Sequence, residues 1–250
     1  LLKNIKFVLE YDGWAYHGWQ KQSGLSTVQG QIEETLSAFF RTRVQVMGAG
    51  RTDAGVHAKG QVANCLVDTS LSALTIMSAI NHYLPINIRI KKAENVPLNF
   101  HSQKDACYRL YSYFIYNCPI NSPFYHNYTW WVIYSLDTEL MKEAMRFLVG
   151  KHDFASFQNQ GSPSSSTWRE IKKIYLRKGS LISIFIQGDS FLYKMVRNIV
   201  GTLVEVGRRK ISPARVKRIL ELSDRKKAGP TAPAQGLYLM RVGYSRSLQK

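Results

Sequence analysis

Acidic residues are scarce in this chain. Only 17 Asp and Glu face 34 Lys and Arg, which leaves a formal net charge of +17 and a sequence pI near 9.9. An imbalance of that size exceeds what solubility requires and points to a polyanionic partner. Cysteine is scarce too. Cys65, Cys107 and Cys118 are odd in number and lack CxxC spacing, which argues against a disulfide framework and for free thiols in a reducing cytosol. The six histidines are scattered without metal-ligand spacing, so no metal site is expected. No apolar run approaches the roughly 20 residues needed to cross a bilayer. The opening residues alternate like a strand where a signal peptide would carry an apolar block. There is no basic amphipathic helix with exposed Trp or Phe, which makes an anionic membrane the weaker partner. Nucleic acid is the stronger one, and a 12% aromatic content with 14 Tyr supplies surfaces for base stacking.

What is present suffices for a folded core. A chain of 250 residues with 45% hydrophobic content can bury a large core as one domain or two. Residues 1–100 carry 10 Lys and Arg against 7 Asp and Glu (+3), whereas residues 101–250 carry 24 against 10 (+14). A domain boundary is expected near residue 100, where Pro97, Leu98, Asn99 and Phe100 read as a link. Both halves alternate strands with helices, which predicts an α+β protein of two similar-sized halves with largely antiparallel sheets. Strands are expected over 4–11, 44–47, 60–67, 86–96, 109–117, 168–178, 181–188 and 236–244. Helices are expected over 28–40, where Ser26 and Gln29 form a capping box, and over 72–84. Further helices are expected over 137–148, capped by Asp137, over 190–206, stopped by Gly207 at a C′ position, and over 212–222, capped by Ser212 with Pro213 at its first position. Residues 158–167 read as a surface loop.

The stretch from 48 to 60 is different in kind. Gly48, Gly50, Gly55 and Gly60 alternate there with Arg51, Asp53 and His57, a poor composition for a packed element. Glycine admits positive φ and close approach, so the spacing suits a tight loop that presents Arg51 and Asp53; an ordinary turn with a solvated ion pair has the same composition. A second signal lies at Arg197, which falls in the row Tyr193, Arg197, Val200 and Val204 of an apolar helix. A guanidinium in that row either finds a carboxylate, Asp53 being one candidate, or snorkels to solvent at its edge. Two basic clusters, Arg208-Arg209-Lys210 and Arg225-Lys226-Lys227, are candidate phosphate contacts; each also reads as a solvated charge run.

Six blocks in order resemble one known family. They are Glu10-Tyr11-Asp12-Gly13; Gly18-Trp19-Gln20; Gly50-Arg51-Thr52-Asp53-Ala54-Gly55-Val56-His57-Ala58 with Gly60-Gln61-Val62; Tyr111-Ser112-Tyr113-Phe114-Ile115-Tyr116-Asn117; Phe191 with Met195-Val196-Arg197-Asn198-Ile199-Val200-Gly201; and Gly236-Leu237-Tyr238-Leu239. The series is similar to that of the tRNA pseudouridine synthase A family and spans nearly the whole chain. The resemblance implies a two-domain α+β fold whose sheets join across a basic cleft, usually a homodimer, and no cofactor, and the free thiols place the chain in the cytoplasm. It further implies isomerisation of uridine to pseudouridine in the anticodon stem-loop of tRNA, at positions 38, 39 and 40. By the same resemblance Asp53 is the catalytic carboxylate and Tyr111 stacks on the target uracil. Arg197 pairs with the aspartate, Arg51 assists base flipping and Leu237 walls the pocket. His57 is expected to be structural or RNA-facing.

The chemistry accepts those roles. Breaking an N-glycosidic bond and rejoining the ring through carbon needs neither a redox cofactor nor a metal. One carboxylate can serve as nucleophile toward ribose or ring, or as base on the ribose. The uridine must leave its stack to reach it, which calls for an aromatic platform. Two other classes compete: an RNA-binding scaffold without turnover, and an aspartate-dependent hydrolase of RNA or a phosphoester.

Overall fold

The computed structural model describes residues 1–161 and 165–245, so residues 162–164 of the expected loop lie outside the described residues. In chain order the principal elements are β1 (Leu2–Tyr11), α1 (Val28–Phe40), β2 (Met47–Gly48), β3 (His57–Asp68), α2 (Ala73–Tyr83) and β4 (Ile88–Val96). They continue as β5 (Ala106–Tyr116), β6 (Trp130–Trp131), α3 (Thr138–Arg146), β7 (Gly150–Asp153), β8 (Trp168–Lys178), β9 (Ile182–Gly188), α4 (Met195–Gly207), α5 (Pro213–Leu222) and β10 (Leu237–Tyr244). The chain forms two compact units, one of Leu1–Cys107 with Tyr238–Lys250 and one of Tyr108–Leu237. Each is a mixed α+β assembly, as the patterning predicts. From Tyr238 on, the closing strand belongs to the first unit, where Tyr238 and Leu239 pair in parallel with His57 and Ala58. No described helix is long and apolar enough to cross a membrane.

In the first unit the strand order is β4-β1-β3-β10, with β2 added to β3. The β1–β3 and β1–β4 ladders are antiparallel, with Leu2 opposite Asp68 and Phe7 opposite both Ala63 and Ala93. Alternation along β1 buries Ile5, Phe7, Leu9 and Tyr11 completely or nearly so. From the helices, Val28, Ile32 and Leu36 of α1 and Ile76 and Ile80 of α2 are equally buried, each worth about 1.5–3 kcal/mol relative to exposure. The linking segment is fastened by polar groups: Asn4 Nδ2 donates to Pro97 O and Phe100 O at 3.0 Å, and Ser102 N donates to Asn64 Oδ1 at 2.9 Å.

Two expectations in this unit are corrected. The cap of α1 is Thr27, whose hydroxyl accepts from Gly30 N at 3.3 Å; Ser26 and Gln29 form no capping box. Gln29 points elsewhere, accepting from Lys21 N and donating to Val46 O. The strand expected over 44–47 shrinks to β2 because α1 side chains occupy its ladder groups. Glu33 Oε1 accepts from Val46 N at 3.0 Å and Ser37 Oγ from Val44 N at 3.0 Å.

In the second unit the order is β5-β9-β8-β7, antiparallel throughout, with β6 parallel to β5. The β8–β9 hairpin turns at Gly179, and Ile182, Ile184 and Ile186 of β9 face the core with Met195, Ile199 and Leu203 of α4. Asp137 caps α3 as expected. Helix α4 begins five residues later than its apolar spacing suggests, because Lys194 takes a left-handed φ of 59° at its N-cap. Tyr193 is therefore not on the helix. Gly207 is the last residue of α4 and not a C′ terminator. A Cβ there would lie 2.8 Å from Met141 Sδ, so the glycine serves the approach of α3. Ser212 precedes α5 with Pro213 at the first helical position, but its side chain makes no capping bond.

Candidate active site

The segment leading into β3 is clamped from several directions. Ala49 N donates to Val62 O at 2.7 Å, and Gln61 Nε2 donates to Gly50 O at 2.7 Å. Thr52 is held twice: its carbonyl accepts from Trp19 N at 3.0 Å and its hydroxyl meets Tyr11 Oη at 2.8 Å. Val56 N donates to Asp53 O at 3.1 Å, closing a turn in which Gly55 has φ +77°. Within this loop Thr52 is buried, Asp53 half-buried and Arg51 exposed. Charged side chains thus emerge from a backbone held by hydrogen bonds at Ala49, Gly50, Thr52, Asp53 and Val56, the arrangement of a preorganised site.

The glycines that make this possible lie mainly in another part of the chain. A Cβ on Gly13 would fall 2.0 Å from Val56 O, and one on Gly18, at φ +90°, would fall 2.7 Å from Thr52 O and 3.1 Å from both Asp53 C and Ala54 N. Backbone therefore lies directly on backbone. Gly48 plays the same part for the indole of Trp19, which a Cβ would meet at 2.4 Å. The Trp14-to-Lys21 region, an irregular aromatic stretch by sequence, is thus the outer wall of the Asp53 loop. His57 is buried, accepts from Gly13 N through Nδ1 at 3.1 Å, and stacks on Tyr238 at 4.6 Å. Of its two expected roles the structural one holds; at 1% exposure it does not face RNA.

Tyr111, Arg197 and Leu237 all lie in the second unit. Tyr111 sits on β5 opposite Ile186, and its ring meets Phe191 edge-on at 5.2 Å. The residues before α4 thereby supply a brace for Tyr111. Arg197, on the first turn of α4, is half-buried, and its Nε donates to Ala232 O at 2.7 Å. A backbone carbonyl is thus one partner of this guanidinium, a possibility that helical spacing does not reveal. Tyr113 lies nearby on β5. Burial raises its phenol well above the ordinary value, partly offset by the positive charge of Arg197, so it stays neutral. Leu237 is buried as the first residue of β10.

The basic clusters are more structural than their sequences suggest. Arg208 pairs with Glu205 at 2.8 Å and covers the Tyr134 ring at 4.0 Å, and Arg209 pairs with Asp137 at 2.9 Å. Arg225 turns inward. Its guanidinium reaches Asn159, Asn198, Gly229 and Thr231, and burial lowers its pKa from the ordinary value. Among the described residues no group of three or more His, Cys, Asp or Glu is placed to hold a metal ion.

A family model described as tRNA pseudouridine synthase matches residues 8–103 and 144–245. The tRNA pseudouridine synthase A of Acetivibrio thermocellus is 42% identical over 244 residues, which cover 97% of this chain and 100% of that protein. That of Ruminiclostridium cellulolyticum is 43% identical over 245 residues, with 97% and 100% covered. That of Thermotoga maritima is 42% identical over 245 residues, with 96% and 99% covered. The family model runs through both units and takes in the blocks named above other than Tyr111–Asn117, the relatives match over 96–97% of the chain, and on that ground the chain belongs to the tRNA pseudouridine synthase family of isomerases.

Proposed function

We propose that this chain isomerises uridine to pseudouridine in the anticodon stem-loop of tRNA, at positions 38, 39 and 40, with Asp53 as the catalytic carboxylate. Family membership supports uridine isomerisation in tRNA; the stem-loop positions and residue roles rest on the block-by-block resemblance. The observation that carries the assignment of Asp53 is the clamp on its loop. A carboxylate that must meet a reacting carbon at bonding or proton-transfer distance gains from a backbone fixed on both sides, and the bonds at Gly50, Thr52 and Asp53 supply that.

The reaction balances without an external reagent. The bond between ribose C1′ and uracil N1 breaks, the ring turns, and C1′ bonds to C5. The proton on C5 leaves, and N1 ends protonated. An ionised Asp53 serves either as nucleophile or as the base on the ribose, and both routes use the same single carboxylate. Arg51, exposed beside it, helps draw the uridine from its stack, Tyr111 stacks on the extruded base, and Arg197 and Leu237 complete the binding of substrate. The net charge of +17 favours arrival of the polyanion. The homodimer implied by the resemblance and the cytoplasmic location read from the free cysteines belong to this proposal, and light scattering in solution tests the former.

Unmodified tRNA incubated with the wild type and with Asp53→Asn, then mapped for pseudouridine and for strand breaks, separates the three classes. Pseudouridine confined to the anticodon arm and formed by the wild type alone is the expected result. Intact, unmodified RNA from both proteins would sink the enzyme reading, and RNA cleaved by the wild type would favour the hydrolase.

A further inference from the structure

Residues 229–236 run as a strap against α4, pinned within the second unit at Gly229, Thr231, Ala232, Pro233 and Gly236. Gly201 and Gly229 allow the contact. A Cβ on Gly201 would fall 1.7 Å from Pro230 O, and one on Gly229 would fall 2.7 Å from Thr202 Cα. Thr202 Oγ1 accepts from Gly229 N at 2.9 Å while donating to Asn198 O at 2.8 Å. The buried Asn198 then receives both Thr231 Oγ1 at 2.7 Å and Arg225 Nη2 at 2.9 Å on its Oδ1. Arg225 closes the circuit through Nη1 to Gly229 O at 2.9 Å, Nη2 to Thr231 Oγ1 at 3.0 Å and Nε to Asn159 Oδ1 at 3.3 Å. At the far end Tyr113 Oη donates to Pro233 O at 2.7 Å, and its ring leaves no room for a Cβ on Gly236. Between these anchors lies Ala232, whose N donates to Arg197 O at 3.1 Å and whose carbonyl accepts from Arg197 Nε at 2.7 Å.

We propose that Arg225, Asn198 and Thr231 are positioning residues: they fix the strap so that the Ala232 carbonyl aims the Arg197 guanidinium. The proposal rests on the reading of Arg197 as a substrate-site residue. It reassigns Arg225, a phosphate contact by its sequence context, to an internal role in which its Nε, Nη1 and Nη2 are all engaged. A planar fork is essential to such a role, because a lysine ammonium cannot reach acceptors on Asn159, Asn198 and Gly229 together.

The test uses the full chain and tRNA, with kcat, KM and melting temperature measured for Arg225→Lys, Thr231→Val and Arg197→Lys, and for Arg225→Lys combined with Arg197→Lys. Arg225→Lys and Thr231→Val should each lower kcat, by about ten- to a hundredfold for a misaimed site group. KM should stay within about twofold, since no phosphate contact is lost. The combined variant should be no slower than Arg197→Lys alone, because residues acting through one group are not additive. A raised KM with kcat retained in Arg225→Lys would restore the phosphate contact and overturn the proposal. A lowered melting temperature with wild-type kcat in the folded protein would reduce the network to a structural one and overturn it too, as would multiplicative losses in the combined variant. Should Arg225→Lys fail to fold, Thr231→Val carries the same comparison, since it leaves Arg225 bound to Asn159, Asn198 and Gly229. If Arg197→Lys keeps wild-type kcat, the reading of Arg197 falls and the proposal with it. If Arg197→Lys is slow while Arg225→Lys and Thr231→Val are not, the proposal alone falls.

Discussion

Replacing Gly18 by alanine places one methyl group against the backbone that carries Asp53, with no change of charge. At φ +90° a non-glycine residue loses about 1–2 kcal/mol from the left-handed conformation itself. The new Cβ would stand 2.7 Å from Thr52 O, where ordinary contact begins at 3.4 Å, so the two segments must separate by about 0.7 Å. Overpacking of that kind adds about 1–3 kcal/mol, for a total of roughly 2–5 kcal/mol. The displaced atoms belong to the peptide that bears the carboxylate. A shift approaching 1 Å at a reacting group lowers rate by up to about a hundredfold, so kcat should fall at least about tenfold in the fraction that stays folded. Gly24→Ala is the matched control, since Gly24 has φ +73° with nothing within 4 Å of its Cβ position. It should lose only the conformational part of the stability and keep full kcat. Urea unfolding and single-turnover pseudouridine formation on all three proteins provide the readout. Wild-type kcat in Gly18→Ala, or an equal loss of kcat in Gly24→Ala, would refute the argument that this contact positions Asp53.

Two further expectations follow from titratable groups. The Asp137 carboxylate accepts from Leu140 N, from Arg209 and from Glu139 N, which together hold its pKa below the ordinary value of 3.8. A carboxyl depressed in the folded state stabilises fully above its unfolded pKa and loses that contribution as pH falls through the folded value. Asp137→Asn keeps a capping side chain and should therefore flatten the acid limb of the stability curve between about pH 5 and 2; curves that stay parallel there would count against the assignment. Burial pushes the Cys65 thiol up to about 12, whereas Cys107 is exposed. Alkylation at mildly alkaline pH, read by peptide mass spectrometry, should label Cys107 and leave Cys65 untouched until the chain is unfolded. Equal labelling rates would show that the core around Cys65 opens.

Periodicity in the sequence located α1 and α3 closely because their buried stripes recur at helical spacing and a capping side chain precedes each. It failed where a second force decided. Apolar spacing continues upstream of Met195, but the left-handed Lys194 ends the helix there. Likewise the alternating residues 44–46 look like a strand until α1 side chains take their hydrogen-bonding groups. The glycine-rich context singled out Arg51 and Asp53 correctly as loop residues, and it attributed the tightness of that loop to its own glycines. Gly48 and Gly55 do contribute, at the Trp19 contact and at φ +77°, but Gly13 and Gly18, more than thirty residues earlier, admit the closest backbone contacts. Long-range contacts of this kind have no local signature. Arg225 shows the same limit: within a basic triplet it reads as a surface charge, and only the fold reveals that Asn198 and Gly229 await it.

The central claim is that Asp53 performs the isomerisation and does not merely shape the loop. Transfer of the ribose bond to C5 expels the hydrogen there, so tRNA carrying tritium at uridine C5 reports the step itself. Under single turnover with excess enzyme, the wild type should release tritium, whereas Asp53→Asn should release none while binding the same tRNA within about twofold, because no phosphate contact is removed. Release by Asp53→Asn at a rate near that of the wild type would contradict the account.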